Sequence, residues 1–130
     1  MEMSEQMAAY IQSLEAPETG IIGEIEKEAL EAHVPIIRKE TQSFLKVILL
    51  MKKPLKVLEV GTAVGFSAIL MSAYMPEGGH ITTIENYAKR ISIARENFKR
   101  AEKEKEITLI EGDALEVMKR LSGSYDFIFM

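Results

Sequence analysis

Apolar residues recur at two different spacings along the chain, and the change comes at Pro54. Before it the steps are three and four residues, the spacing of one face of a helix. Met7, Tyr10, Ile11 and Leu14 predict a helix over residues 4–15, closed by Pro17. Ile21, Ile22, Ile25, Ala29 and Leu30 predict a second over 21–32, with Glu24, Glu26, Lys27, Glu28 and Glu31 on its polar side. Val34-Pro35 ends that helix, because the residue before a proline disfavours the α region. A third helix is predicted over 41–51, stopped by Pro54. Phe44, Leu45, Val47, Ile48, Leu49 and Leu50 make it apolar enough to be well buried.

Beyond Pro54, short apolar runs alternate with helical patterns. Strands are predicted at 56–60, 80–84, 107–111 and 125–130, and helices at 66–75, 88–104 and 115–121. The helix at 88–104 has the clearest pattern, with Ile91, Ala94, Phe98 and Ala101 on one face. Strands alternating with helices imply right-handed βαβ units and therefore a parallel sheet. The expected fold class is α/β: a helical segment over residues 1–53, then a parallel sheet of about four strands over 54–130.

Composition narrows the function classes. The chain has 130 residues, 47% hydrophobic and 28% charged, with a net charge of −4. That balance does not favour a general nucleic-acid or anionic-membrane binder, although a local basic face stays possible. There is no cysteine, which excludes a disulfide framework, thiolate zinc ligands and a cysteine nucleophile within these residues. No apolar run has the ~18 residues of a membrane span. The start, Met1-Glu2-Met3-Ser4-Glu5, has neither the basic opening nor the apolar stretch of a signal peptide. A cytoplasmic protein without a membrane partner is expected.

The strongest local signal is Val57-Leu58-Glu59-Val60-Gly61-Thr62-Ala63-Val64-Gly65-Phe66-Ser67, a buried strand running through a glycine turn into a helix. Gly61 would let the backbone approach a ligand, and Gly65 would let the helix start close to the strand. Ser67 lies by the helix N-terminus, where a hydroxyl and free N–H groups suit an anion such as a carboxylate. The turn is neither the dinucleotide fingerprint nor a phosphate loop, since the second glycine and the Lys-Ser/Thr pair are absent. A plain βα turn is the competing reading. Glu85, at the end of the second strand, is placed to accept both hydroxyls of a ribose; a solvated strand-end glutamate is its bland alternative. Asp113, in Glu111-Gly112-Asp113-Ala114, either caps the next helix or accepts from an amino group such as that of adenine, and both roles are compatible.

Taken together, these residues resemble the class I S-adenosylmethionine-dependent methyltransferases. More narrowly, they are similar to the cation-dependent O-methyltransferases of the catechol and caffeoyl-CoA type. The likeness rests on residues 59–67, Ile81-Thr82-Thr83-Ile84-Glu85, Gly112-Asp113-Ala114 and Asp126-Phe127-Ile128-Phe129, with Val34-Pro35-Ile36-Ile37 and Phe44-Leu45 upstream. It implies a Rossmann-like sheet of order 3-2-1-4, with 54–130 as the N-terminal half of the methyltransferase domain. It also implies S-adenosylmethionine as cofactor. Glu59 and Gly61 would border its methionine moiety, Ser67 its carboxylate, Glu85 its ribose, and Asp113 and Ala114 its adenine, with Thr62 a further cofactor-binding residue and Ile37 an upstream contact. Phe66 stands where this motif usually has Tyr. A divalent cation such as Mg²⁺ is implied for the complete family enzyme. The family's first metal-binding aspartate would follow residue 130 directly, so no metal ligand or catalytic residue is assigned. A C-terminally truncated enzyme, inactive by itself, is expected.

Two acceptors fit the resemblance: a catechol-like small molecule, or 5-hydroxyuridine in tRNA, which one bacterial branch methylates. The basic residues of helix 88–104 read first as a solvated face and second as an RNA-facing one. His33 and His80 read as surface or turn histidines, and Met71, Met75 and Met118 as core packing. A non-catalytic remnant and a Rossmann-like nucleotide binder of another class are the competing functions. A homo-oligomer is expected from the apolar strand 125–130, whose edge would pair with another chain.

Overall fold

The computed structural model describes residues 4–130. The stretch Met1–Met3, part of the signal-peptide reading, lies outside the described residues. Ten elements follow in order: α1 (Glu5–Leu14), α2 (Gly20–Glu31), α3 (Lys39–Lys52), β1 (Lys56–Val60), α4 (Phe66–Tyr74), β2 (His80–Glu85), α5 (Ala88–Arg100), β3 (Ile107–Glu111), α6 (Ala114–Arg120) and β4 (Phe127–Phe129). The strands form one parallel sheet ordered β3-β2-β1-β4, the α/β architecture that the sequence predicts with the strand order that the family resemblance implies. Val60 pairs with Ile84, and Glu85 with Glu111, so the carboxyl ends of β1, β2 and β3 lie side by side. Ligand sites of open parallel sheets form along such an edge.

The main core lies on one face of the sheet. Val57, Ile81 and Ile107 project from β1, β2 and β3 onto Phe66, Ile69, Leu70 and Met71 of α4 and onto Ala94 and Phe98 of α5. Ile25 of α2 and Leu45 and Leu49 of α3 close α4 from above. α4 is thus a middle layer, with apolar neighbours both below and above it. The other face carries a smaller cluster of Leu58, Ile84 and Val117 under α6. Leu58 and Val57 are both buried, as strands covered on both faces require.

The N-terminal helices depart from the sequence reading. α3 is not well buried: Gln42, Leu45 and Leu49 face inward, while Phe44, Val47, Leu50 and Met51 are exposed. The reason is geometric, since α3 packs on α4 and α1 along one side only. Leu30 of α2 is exposed as well, and α1 has no buried residue. Polar contacts join α1 and its C-terminal flank to α3, where Gln12 donates to Glu40 at 3.3 Å and Ser43 donates to Glu15.

Two further boundaries moved. α5 stops at Arg100, not 104, because Glu102 enters the left-handed region (φ 55°) and the Lys103 N–H closes on the Phe98 carbonyl at 2.8 Å. β4 covers only 127–129, the residues that pair with 57–59 of β1. Its entry is pinned by the Asp126 carboxylate, which accepts the N–H groups of Leu55 (2.8 Å) and Lys56 (3.1 Å). Those two bonds hold Asp126 below the usual aspartate range. Met71 is buried and Met75 packs against the core, but Met118 is exposed, since α6 turns that side outward. His33 lies in the turn after α2 with φ 55°, and His80 Nε2 lies 2.8 Å from Thr108 Oγ1 at the start of β2.

Candidate functional site

The turn between β1 and α4 is built from left-handed residues. Gly61 and Gly65 both have φ 88°, and between them Ala63 has φ 50°, uncommon for a residue with a Cβ. A Cβ on Gly65 would lie 2.6 Å from the Phe98 ring, so no larger residue fits there without displacing that ring. The Gly61 N–H donates to the Ile84 carbonyl at 2.8 Å and the Gly65 N–H to the Thr62 carbonyl at 2.8 Å.

Glu85 holds the unusual Ala63 in place. Its Oε2 accepts the Ala63 N–H at 2.9 Å, and its Oε1 accepts the N–H groups of Asn86 (3.1 Å) and Tyr87 (3.2 Å). A carboxylate has about four acceptor positions, so about one remains for a ligand hydroxyl. The strain of the turn is therefore offset by a side chain from the neighbouring strand.

Glu59 lies behind the turn, fully buried in β1. The Ser67 hydroxyl donates to its Oε2 at 2.5 Å and the Thr83 hydroxyl to its Oε1 at 2.6 Å. Burial pushes the Glu59 carboxyl up from its ordinary range; the hydroxyls of Ser67, Thr83 and Thr62 pull it part of the way back, and the nearby charge of Glu85 raises it again. The single hydroxyl proton of Ser67 is engaged by Glu59, so its lone pairs remain for other partners.

A cavity of about 150 Å³ opens where β1 and β4 end. Pro35, Ile36 and Ile37 form one wall, Val60 to Ala63 the floor, Phe66 and Ser67 the start of α4, and Phe129 and Met130 the far side. Four of the residues singled out in the sequence, Ile37, Gly61, Thr62 and Ser67, meet on this cavity. Thr62 is buried there, and its hydroxyl lies near enough to Glu59 to pull that carboxyl down. Glu59 reaches the cavity through Ser67, and Glu85 through the Ala63 N–H. Asp113 and Ala114 do not line it. Asp113 caps α6, accepting the Glu116 N–H at 3.2 Å, and the Gly112 N–H before it donates to the Glu85 carbonyl at 3.0 Å.

The structure adds two residues that the sequence reading passed over. Thr83 alternates with Glu85 along β2, and that period of two could have placed its hydroxyl beside the turn. Asn97 is buried, and its Nδ2 donates to the Val64 carbonyl of the turn at 2.8 Å. Its signal was a carboxamide beside Phe98 on the inward face of α5. Among the described residues no group of three or more His, Asp or Glu is placed to hold a metal ion, and no helix is long and apolar enough to cross a membrane.

The O-methyltransferase family matches residues 12–130. A catechol O-methyltransferase of Niastella koreensis is 26% identical over 99% of the chain and 61% of its own length. A caffeoyl-CoA O-methyltransferase of Stellaria longipes is 30% identical over 75% of the chain and 49% of its own length. Among solved structures, an SAH-bound methyltransferase of Podospora anserina superposes with a TM-score of 0.84 at 26% identity, covering 98% of the chain and 58% of its own. The chain thus spans about half to three fifths of the relatives it matches.

Proposed function

The chain belongs to the O-methyltransferase family, and from that premise we propose that it binds S-adenosylmethionine at the carboxyl end of β1 and serves methyl transfer to a hydroxyl oxygen. The observation that carries the reading is the meeting of Ile37, Gly61, Thr62 and Ser67 on one cavity whose rim is tied to Glu85. A cavity of about 150 Å³ suits the methionyl end of the cofactor. The nucleoside would then extend over the ends of β2 and β3, toward Glu85, Asp113 and Ala114.

Each residue has a physical role in that arrangement. Gly61 leaves the backbone free of a side chain where the ligand approaches. The first N–H groups of α4, at Phe66 and Ser67, favour a carboxylate through their unpaired donors and the helix dipole. Glu59 and Glu85 flank the turn with acidic groups, which favours a cofactor bearing a sulfonium and an ammonium. The remaining acceptor position of Glu85 takes a ribose hydroxyl.

When bound, the sulfonium supplies an electrophilic methyl group: the acceptor oxygen gains it, the sulfur becomes a neutral thioether, and the hydroxyl proton passes to solvent or a base. The chain's contribution is to orient the cofactor for that displacement. The described residues do not present a ligand set for the divalent cation implied by the sequence resemblance, so no step is assigned to it.

A catechol-like aromatic hydroxyl is the favoured acceptor, supported by the names of the two relatives. A second reading, 5-hydroxyuridine in tRNA, draws on α5. Arg95 and Arg100 are held by Glu111 and Glu28, whereas Lys89, Lys99, Lys103 and Lys105 have no ion pair among the described residues. Isothermal titration with S-adenosylmethionine and with SAH tests the cofactor. Binding is expected in the wild type and is expected to weaken by ~1–3 kcal/mol in Glu85→Ala, through loss of charge-assisted hydrogen bonds and of the turn's support. A wild-type protein that binds neither compound would overturn the reading. Transfer of labelled methyl to catechol, set against 5-hydroxyuridine tRNA and with Mg²⁺ supplied, separates the two acceptors.

A further inference from the structure

Helices α2 and α5 meet in an ion pair whose hydrogen bonds continue inward to the turn. Arg100 binds Glu28 with both guanidinium arms, Nη1 to Oε2 at 2.8 Å and Nη2 to Oε1 at 2.9 Å. Glu24, one turn earlier in α2, lies 3.7 Å from the same guanidinium. Arg100 Nη1 also donates to Asn97 Oδ1 at 3.0 Å, and Asn97 Nδ2 donates to the Val64 carbonyl at 2.8 Å. Asn97 is 3% exposed.

The polarity of this series has only one solution. A carboxylate accepts, a guanidinium only donates, and a backbone carbonyl only accepts. The carboxamide between them must turn its oxygen to Arg100 and its nitrogen to Val64, so the Arg100–Glu28 pair selects the orientation that Val64 needs. Packing alone does not hold this peptide, because a cavity of about 200 Å³ lies beside it, lined by Ile25, Ala29, Val34, Val64, Ile93 and Asn97. Val64 also sits between Ala63 and Gly65, both left-handed, where the backbone has most to gain from an external restraint.

We propose that Asn97 is a positioning residue for cofactor binding: it fixes the Val64 peptide of the turn, and the Arg100–Glu28 pair fixes Asn97, so that α2 takes part in shaping the site. This rests on the S-adenosylmethionine reading above. Asn97 acts through the turn and does not line the cavity at the end of β1.

The test compares SAH titration, amide exchange and thermal unfolding across a set of variants. Asn97→Ala removes the bond to Val64. Asn97→Asp keeps the shape but, when ionised, cannot donate to a carbonyl. Each is expected to weaken SAH binding about tenfold and to speed exchange of the Gly65 amide by a similar factor. Arg100→Gln leaves the core intact and removes the charged donor; a loss of about threefold is expected, recovered in part by Arg100→Lys, which restores a charged donor.

The double variant Glu28→Arg, Arg100→Glu separates positioning from stability. It restores an ion pair between the helices and is expected to keep the wild-type unfolding temperature. A glutamate at position 100 has no donor for the carboxamide, so SAH binding stays weakened. SAH affinities of Asn97→Ala and Asn97→Asp within twofold of wild type would overturn the proposal. If the wild type itself binds no SAH, the cofactor reading fails, and Gly65 exchange still decides the positioning: unchanged exchange in Asn97→Asp overturns it.

Discussion

Helices α3 and α4 are both rich in aliphatic residues, yet the fold treats them in opposite ways. Phe66 to Met71 of α4 are all buried, including the hydroxyl of Ser67. In α3 only Gln42, Leu45 and Leu49 are buried, and Phe44, Leu50 and Met51 face outward. The difference is one of layers. α4 has the sheet beneath it and α2 and α3 above it, whereas α3 is covered only along the side that meets α4 and α1. Apolar content therefore predicts burial only where the topology supplies neighbours all round. The consequence reaches the candidate site, because the first turn of α4 is also a wall of the cavity at the end of β1.

The sharpest way to break this comparison is to create a cavity in α4. Leu70→Ala, at a position with no exposed surface, is expected to cost about 2–5 kcal/mol in urea unfolding. A cost below 1 kcal/mol would mean that α4 is not the closed middle layer. Gly65→Ala tests how tightly α4 is set against α5. The new Cβ meets the Phe98 ring and the residue must keep a positive φ, so a loss on the order of 2 kcal/mol is expected. Full stability in this variant would show that the junction can yield.

A charge under α4 should behave unlike one on the open helices. The Glu59 carboxyl is raised by burial, so the folded state holds its proton to a higher pH than the unfolded chain does. Its contribution to stability is complete below the ordinary glutamate value of 4.5 and is lost as the pH climbs from there toward the folded value. Glu59→Gln should therefore be more stable than wild type at neutral pH, with the gap closing as the pH falls toward 4.5. Urea curves between pH 4 and 8 check the sign; a gap that widens toward acid would refute it. The smallest effect belongs to α3. Leu50→Ser and Met51→Ser on its outer side should change stability by no more than about 0.5 kcal/mol. A larger loss measured on the whole protein would show that something covers this face.

Much of the architecture was legible in the pattern of residues. The change of period at Pro54, the glycines at 61 and 65 and the alternation of short apolar runs led to four parallel strands. Strand order came from the family resemblance, and the structure has the same order. Of the candidate residues, Ile37, Gly61, Thr62 and Ser67 come together on one cavity, while Asp113 serves as the cap of α6. Asn97 and Thr83 escaped notice because a polar residue on an inward face has no local mark. Its partner is a carbonyl 33 residues away in one case and a carboxylate 24 residues away in the other.

The sequence by itself determined the elements, since period, proline and glycine act over a few residues through backbone sterics. It also determined which strand ends carry acidic and glycine residues. Tertiary structure alone decided which apolar faces are covered, how the left-handed Ala63 is held by Glu85, and that Arg100, Asn97 and Val64 share one series of hydrogen bonds. The physical reason is that burial and hydrogen-bond pairing depend on neighbours brought together by the sheet's crossovers. Such neighbours lie tens of residues apart, beyond the reach of any local pattern.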